Sequence, residues 1–315
     1  MEKLGVAVIG TGFWGVNHAR TYGNLESTKL VAICDIDSQR AKDVACQYGA
    51  KAYTDSTKML KNKEIKAVSV CTWATILSEE ANKALKAGRP VLVEKPMATT
   101  SKQAKKLIQT AKNQDLLLTV GFISRFLPGL KEIQKAIKTK AIGELVCATS
   151  KRVSQWPIRI GDAGVLKDTA IHDIDIMRYI TGEDPISVYA KIGSKRRIDF
   201  EDHVQIMLTF KGEKSTFIES NWLTPNKTRT LTVTGTQAIM KLDYITQQLT
   251  IETNKENTQP RTPTQEPLKL ELQHFADCIA KNQKPLVTGN DGLKALQIIE
   301  AAIKSSQKNK AINLK

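Results

Sequence analysis

The sequence lacks the features that mark membrane-spanning, secreted and disulfide-stabilised proteins. No apolar run approaches the ~20 residues that cross a bilayer, and no apolar signal region precedes the first predicted strand. The five cysteines are an odd number, are scattered and form no C-x-x-C pair. We therefore expect reduced thiols and a cytoplasmic location. With only four histidines in the chain, we also expect no zinc or other metal site.

Acidic residues are few relative to basic ones, and the net charge is +15. Such an excess is compatible with nucleic acid, an anionic surface or an anionic small molecule as partner. The lysines, however, are spread along predicted helices, aromatic residues make up 5% of the chain and no nucleic-acid-binding motif is present. We therefore expect no nucleic-acid partner, and a gel shift at physiological salt tests this. A phosphorylated substrate or a dinucleotide needs only local positive charge.

Residues 1–121 predict a doubly wound α/β domain, because short apolar strands alternate with amphipathic helices. The predicted strands are Gly5–Ile9, Lys29–Cys34, Ala67–Cys71, Val91–Glu94 and Leu116–Val120, and the predicted helices include Ser38–Tyr48, Glu79–Ala87 and Ser101–Asn113, the last capped by Ser101.

Residues 122–315 predict an α+β domain on an open, mostly antiparallel sheet. The predicted strands are Leu145–Val153, Ser187–Ile192, His203–Phe210, Ser215–Trp222, Arg229–Gly235, Ala238–Leu242 and Leu249–Glu252. The predicted helices are Leu130–Lys138, His172–Tyr179, Leu268–Ala280 and Asp291–Ser305, with a polar loop at Asn254–Pro267. An open sheet face commonly pairs with another subunit, so we expect a homo-oligomer, a dimer or a tetramer.

A glycine-rich turn follows the first strand. Gly10, Gly12 and Gly15 fit G-x-G-x-x-G between a strand and a helix, the context in which this motif binds the pyrophosphate of a dinucleotide. Asp35 ends the second strand, where a carboxylate binds the adenosine ribose and repels a 2′-phosphate. This favours NAD over NADP, although Arg40 nearby weakens the preference. The alternative is a structural turn in an α/β protein with another ligand.

Two further segments carry candidate catalytic groups. Lys95 follows a parallel strand and precedes a proline, so its ammonium is expected at the sheet edge where ligands bind. An ordinary exposed lysine is the alternative. Asp168 and His172 are four residues apart, which places them on one face of a helical turn and suits a general base supported by a carboxylate. Alternatively, Asp168 or Thr169 caps a helix.

In combination these segments resemble the Gfo/Idh/MocA oxidoreductases over nearly the whole chain. The resemblance rests on the glycine turn, Asp35, Glu94-Lys95-Pro96, the Gly121–Phe126 segment and the spacing Asp168…His172…Asp175. It implies an NAD-dependent dehydrogenase that acts on a CH–OH group, with Lys95, His172 and Asp168 as catalytic residues. The implied cofactor-binding residues are Gly10, Gly12, Phe13, Trp14, Gly15, Asp35, Ile36, Arg40, Thr72, Glu94 and Lys95.

A narrower likeness concerns the substrate. The segments Trp156–Val165 and Asn221–Lys227 resemble the UDP-N-acetylglucosamine 3-dehydrogenase branch, which implies a nucleotide-linked amino sugar as substrate and a 3-keto sugar as product. The implied substrate-binding residues are Lys95, Arg125, Arg159, Asp168, His172, Lys227 and Arg229. Alternatives are a free-polyol or sugar dehydrogenase, such as an inositol 2-dehydrogenase, and a non-catalytic dinucleotide-sensing protein.

The sequence departs from the family pattern at two places. The segment after Cys71 lacks the proline or asparagine that often follows Thr72 and has Ser78 where many relatives carry histidine. Lys167 precedes Asp168 where an apolar residue is usual. The first departure affects the wall on the nicotinamide side, and the second affects local packing.

Overall fold

The computed structural model describes residues 3–157, 161–196, 199–261 and 263–314. Its contacts divide the chain into two compact units. The first comprises Met1–Ile123 and Glu266–Leu293, and the second comprises Ser124–Gln265 and Lys294–Lys315. The chain thus returns to the first unit after forming most of the second, whereas the sequence led us to expect one boundary after residue 121.

The first unit is built on a six-stranded sheet in which all strand pairs are parallel. The strands are β1 (Leu4–Ile9), β2 (Thr28–Cys34), β3 (Lys51–Tyr53), β4 (Ala67–Val70), β5 (Val91–Val93) and β6 (Leu118–Val120). Their order is β3-β2-β1-β4-β5-β6, so the direction of winding reverses between β1 and β4. In such sheets ligands bind at the carboxyl ends of the strands beside this reversal. The predicted doubly wound domain is confirmed.

Helices accompany this sheet. They are α1 (Phe13–Asn24), α2 (Ser38–Gln47), α3 (Ser56–Met59), α4 (Leu77–Lys86), α5 (Ser101–Asn113) and α8 (Pro267–Ala280), and the unit boundary at Leu293 falls within α9 (Gly289–Lys308). Leu268, Leu272 and Phe275 of α8 share an apolar core with β1 and β2, which explains why this late segment belongs to the first unit.

The cap of α5 differs from the prediction. Thr100, not Ser101, has extended backbone geometry before the helix, and its hydroxyl accepts a hydrogen bond from the Gln103 amide at 3.3 Å. Ser101 is instead the first helical residue. Two side chains of the same chemistry stand next to each other here, and only the backbone conformation decides which of them caps.

The second unit contains a nine-stranded sheet that is mostly antiparallel, as predicted. Its strands are β7 (Leu145–Val153), β8 (Ser187–Gly193), β9 (His203–Thr209), β10 (Ser215–Asn221), β11 (Thr228–Gly235), β12 (Ala238–Asp243), β13 (Leu249–Thr253), β14 (Asn257–Thr258) and β15 (Ile312–Asn313). Their order is β14-β13-β12-β11-β7-β10-β9-β8-β15. Among the described strands of this second sheet, only β7 and β10 pair in parallel.

Helices α6 (Pro128–Lys138) and α7 (Ile171–Thr181) lie within this unit, as does the part of α9 after Leu293. A π-helical turn over Leu166–Ala170 runs directly into α7. Along the central strands buried and exposed residues alternate, which is the pattern of a sheet with one face packed and one open. The predicted loop at Asn254–Pro267 contains the short strand β14, whose two exposed residues gave no apolar signal.

The five cysteines all lie in the described ranges and are free thiols. Within those same ranges no helix combines the length and the apolar character that crossing a bilayer requires.

Candidate active site

The glycine turn between β1 and α1 has the geometry that its residues predict. Gly10 has φ of +85°, and a Cβ there would lie 2.9 Å from the backbone of Cys71. A Cβ at Gly15 would lie 1.7 Å from the carbonyl oxygen of Gly10, so helix and turn pack directly. A Cβ at Gly12 would meet nothing within 4 Å. Gly12 therefore exposes its backbone to open space at the N-terminus of α1, where an anion is favoured.

Asp35 connects the end of β2 to this turn. Its Oδ2 accepts hydrogen bonds from the backbone amide of Thr11 at 2.7 Å and from the Thr11 hydroxyl at 2.9 Å. Its Oδ1 accepts from the Asp37 amide at 2.9 Å and lies 3.5 Å from Arg40 Nη2. The carboxylate thus shapes the glycine turn. The spacing of the motif gave no indication of the part that Thr11 plays.

Several large apolar side chains are exposed where strands of the first sheet end. Phe13 is 62% exposed after β1, Ile36 is 87% exposed after β2, and Trp73 is 54% exposed after β4. Trp14 and Thr72 are half-buried in the same segments. Exposed apolar groups beside an open glycine turn are typical of a ligand-binding edge. Sequence reasoning missed Trp73, although its place after Thr72 was noted as a departure from the family pattern.

Glu94 and Lys95 follow β5 and are both buried. Glu94 Oε2 accepts a hydrogen bond from the Lys95 amide at 3.2 Å, and Glu94 Oε1 lies 3.1 Å from Nε2 of the buried His18. Gly121 packs against the same carboxyl group, since a Cβ there would lie 2.8 Å from Oε1. The backbone amide of the predicted Lys95 therefore donates to a carboxylate whose other oxygen lies beside His18. His18 was not singled out from the sequence.

In the second unit the π-helical turn carries Asp168, and the first turn of α7 carries His172. Asp168 is half-buried and His172 is buried. The expectation of an ordinary α-helical turn at Asp168 is wrong, because the backbone forms a wider π-helical turn there. The Trp222 indole donates to the Thr169 hydroxyl at 3.0 Å, and Glu201 accepts from the Leu166 amide at 3.1 Å, so both ends of the turn are held. Such π-turns are frequent at functional sites.

Two buried ion pairs involve acids that follow His172 on α7. Arg152 Nε donates to Asp173 at 2.9 Å, and Arg125 binds Asp175 through Nε at 2.7 Å and Nη2 at 2.6 Å. The carboxylates of Asp173 and Asp175 therefore form ion pairs with arginines. Among the described residues no group of three or more histidines, cysteines and acids is arranged to hold a metal ion. Arg125, predicted to bind substrate, is a partner of Asp175 in the structure.

Positive charge gathers where β7 and β11 pair. Arg229 lies directly opposite Arg152 in the register of the two strands. Lys227 lies just before β11, and the nearby Arg229, followed by burial and by Arg152, lowers the pKa of its ammonium group. Mutual repulsion of this kind marks a place that favours an anion. Arg159, predicted to join Lys227 and Arg229, lies outside the described residues.

The first unit fits a dinucleotide. Its glycine turn leaves backbone open at Gly12, its second strand ends in an acceptor at Asp35, and the neighbouring Ile36 offers an exposed apolar surface. These are the features that bind the pyrophosphate, the ribose and the base in this class of sheet.

A dinucleotide-binding parallel sheet joined to a mixed, mostly antiparallel sheet defines a two-domain oxidoreductase. Residues 4–122 match the model described as "Oxidoreductase family, NAD-binding Rossmann fold", and residues 130–241 match the GFO/IDH/MocA C-terminal domain. The chain belongs to the GFO/IDH/MocA family and is an NAD-dependent dehydrogenase. The resemblance seen in the sequence is confirmed, as is the prediction of NAD.

Similar proteins span the whole chain. Inositol 2-dehydrogenase of Rhizobium meliloti is 27% identical over 327 residues, which cover 98% of each protein. An oxidoreductase from Agrobacterium radiobacter, solved in complex with NAD+, L-tartaric acid and magnesium, has a TM-score of 0.91 at 23% identity and covers 99% of this chain and 98% of its own. UDP-N-acetylglucosamine 3-dehydrogenase GnnA from Acidithiobacillus ferrooxidans has a TM-score of 0.89 at 23% identity over 98% and 99%. The structural likenesses establish the fold.

Proposed function

We propose that the protein oxidises a secondary hydroxyl of a sugar with NAD, and that its substrate is a UDP-linked N-acetylamino sugar oxidised at the 3-hydroxyl. The product is a 3-keto sugar. Membership of the family supports the general reaction, and the cluster of positive charge beside β7 and β11 carries the choice of a nucleotide sugar.

Three residues of this chain perform the proposed chemistry. His172 accepts the proton of the substrate hydroxyl as general base. The half-buried Asp168 supports the sugar hydroxyls, and the Lys95 ammonium orients the reacting oxygen and stabilises charge that develops there. When bound, NAD supplies the acceptor for the hydride that leaves the substrate carbon.

The first unit supplies the proposed cofactor contacts. Gly12 and the N-terminus of α1 hold the pyrophosphate, with Gly10 and Gly15 shaping the turn. Asp35 binds the ribose, and Arg40, already within 3.5 Å of Asp35, also contacts the cofactor. The remaining proposed contacts come from Phe13, Trp14, Ile36, Thr72 and Glu94.

Lys227, Arg229 and Arg159 are the proposed contacts for the diphosphate, and Arg125 is a further proposed substrate-binding residue. A diphosphate relieves the repulsion among the cations that lowers the pKa of Lys227. A free polyol carries no charge and forms no ion pair with these residues. The second candidate function is an inositol 2-dehydrogenase, which the similarity to the Rhizobium meliloti enzyme favours.

A substrate panel separates the two candidates. Reduced nicotinamide is followed by absorbance with UDP-N-acetylglucosamine, free N-acetylglucosamine and myo-inositol, and mass spectrometry identifies any keto sugar. We expect turnover with the UDP-linked sugar and much less with the other two. Turnover of myo-inositol in preference to the UDP sugar would refute the nucleotide-sugar assignment.

Variants of the cations test the same assignment. Loss of one charge-assisted hydrogen bond costs about 1.5–3 kcal/mol, so Arg229→Ala should raise KM for the UDP sugar about 10–100-fold. Lys211→Ala removes an exposed lysine from the turn between β9 and β10 and is the matched control. Equal effects of the two variants would show that overall charge, rather than a diphosphate site, is responsible.

Catalytic variants test the general reaction. Lys95→Ala and His172→Ala should each lower kcat by about 10²–10⁴-fold while NAD still binds, as measured by calorimetry. Full activity in both variants would remove these residues from the mechanism.

The open face of the second sheet supports association of copies of this chain. Met207, Phe217, Thr149 and Thr232 lie side by side across four strands, and Met207 and Phe217 are exposed. We propose that this face pairs with another subunit in a dimer or tetramer. Sedimentation tests this by comparing the oligomeric state of the wild type with that of Phe217→Asp. A monomeric wild type would exclude it.

The proposed enzyme is cytoplasmic, in agreement with its free thiols.

A further inference from the structure

A buried acid in the first unit has no part in the proposed chemistry. Glu271 lies on α8, is 3% exposed, and both its carboxyl oxygens are buried without a hydrogen-bond partner in the part of the chain that the structure describes. An ionised carboxylate in such a place is strongly disfavoured. The residue is far in sequence from the catalytic candidates, and only the return of the chain to the first unit brings it there.

The groups that interact with Glu271 come from three neighbouring segments. Burial, followed by the charge of Glu94, holds the pKa of Glu271 well above its usual range. Burial also raises the pKa of Tyr22, whose hydroxyl lies 2.8 Å from that of Ser69, and the pKa of Cys71. Tyr22 on α1 and Cys71 after β4 are therefore neutral neighbours. His18 on α1 is fully buried beside Glu94.

We propose that Glu271 stays a neutral carboxylic acid in the folded protein and that His18 and Glu94 position Lys95, an arrangement that an ionised Glu271 would disturb. This rests on the proposed catalytic role of Lys95. His18 holds one oxygen of the Glu94 carboxylate at 3.1 Å, and the other oxygen accepts from the Lys95 amide at 3.2 Å. The turn that carries the catalytic ammonium is thus fixed through Glu94.

A neutral Glu271 is necessary for this arrangement. Two negative carboxylates that interact in the interior repel each other, so the buried Glu271, which has no partner to stabilise its charge in the part of the chain that the structure describes, keeps its proton. Gly121 packs directly on the Glu94 carboxyl group, and even a Cβ there would come within 2.8 Å. Glu94 therefore has little room to move away. Ionisation of Glu271 at high pH would disturb Glu94 and, through it, the position of Lys95.

Infrared spectroscopy tests the protonation state without any substrate. We expect the wild-type protein at neutral pH to show the carbonyl stretch of a protonated carboxylic acid that Glu271→Gln lacks. Glu266→Gln, which changes an exposed acid at the start of the same helix, should retain it. Absence of the band from the wild type would overturn the proposal.

Kinetics test the positioning role. Displacing a catalytic group by about 1 Å costs about 10²-fold in rate, so His18→Ala should lower kcat by roughly this factor with the Kd for NAD little changed. His18→Gln, which restores a donor towards Glu94, should recover much of the loss. The activity of the wild type should fall at alkaline pH as Glu271 ionises, and Glu271→Gln should keep the activity at neutral pH and lose this part of the decline, because an amide does not ionise.

Different results overturn different claims. Unchanged kcat in His18→Ala, or an alkaline decline in Glu271→Gln identical to that of the wild type, would overturn the positioning role. A wild-type protein that turns over no sugar would refute the proposed function, and the infrared band would still decide whether Glu271 is neutral.

Discussion

Two glycines of the same turn should respond in opposite ways to the same substitution. Gly12→Ala adds a methyl group to open space, because nothing lies within 4 Å of its Cβ position. Gly15→Ala adds one at 1.7 Å from the carbonyl oxygen of Gly10, and a backbone atom cannot rotate away as a flexible side chain can. The first variant should lose ligand affinity and the second should lose stability.

The stability difference can be estimated. Gly12 is the N-cap of α1 with extended backbone geometry, where glycine and alanine differ by up to about 1 kcal/mol. The lower entropy of the unfolded alanine chain offsets about 0.4–1 kcal/mol of this. Gly12→Ala should therefore unfold within about 1 kcal/mol of the wild type. Gly15→Ala forces helix and turn apart, and such overpacking costs about 1–3 kcal/mol or more.

The affinity difference follows from the proposed pyrophosphate contact. A methyl group at Gly12 keeps a phosphate oxygen from the backbone amides, and loss of one hydrogen bond to a charged group costs about 1.5–3 kcal/mol. The Kd for NAD should rise about 10–100-fold. Calorimetry measures the affinity and urea denaturation measures the free energy of unfolding. Wild-type affinity in Gly12→Ala, or equal destabilisation of the two variants, would refute the reasoning.

Three further predictions concern stability. Asp173→Asn leaves the buried Arg152 without its counter-charge and should lower the free energy of unfolding by about 3–5 kcal/mol in urea; a loss below about 1 kcal/mol would contradict it. Phe275→Ala empties a fully buried site and should lower the free energy of unfolding in urea by about 3–5 kcal/mol; stability equal to that of the wild type would contradict it. The pKa of Glu271 is raised in the folded protein. Its contribution to the free energy of unfolding is therefore complete below the pKa it has in the unfolded chain, and it is lost as the pH rises towards the pKa it has in the folded protein. The wild type should therefore lose stability relative to Glu271→Gln by up to about 1.4 kcal/mol per pH unit in that window, and parallel pH profiles would argue against a neutral acid.

Local sequence determined much of the first unit. The glycine turn requires residues without a side chain at positions 10 and 15, and the glycines there can be recognised directly in the amino-acid sequence. Strand periods and Asp35 at the end of β2 likewise follow from short-range rules. The open sheet of the second unit was predictable because buried and exposed residues alternate along its strands.

Other features depend on contacts between distant segments. The cap at Thr100 and the π-helical turn at Asp168 depend on backbone choices among nearly equal local alternatives. The short strands β3, β14 and β15 contain no apolar run that would mark them in the sequence, and their pairing partners define them.

The division of the chain gives the strongest contrast. The amphipathic pattern of α8 predicts a helix with a buried face, but it does not indicate which core that face joins. Packing of Phe275 and Leu272 into the first unit settles this, and it also brings Glu271 close enough to Glu94 to interact with it. Local pattern fixes periods and turns because these depend on neighbouring residues. The surroundings of a buried acid depend on residues more than a hundred positions away, which only the tertiary structure brings together.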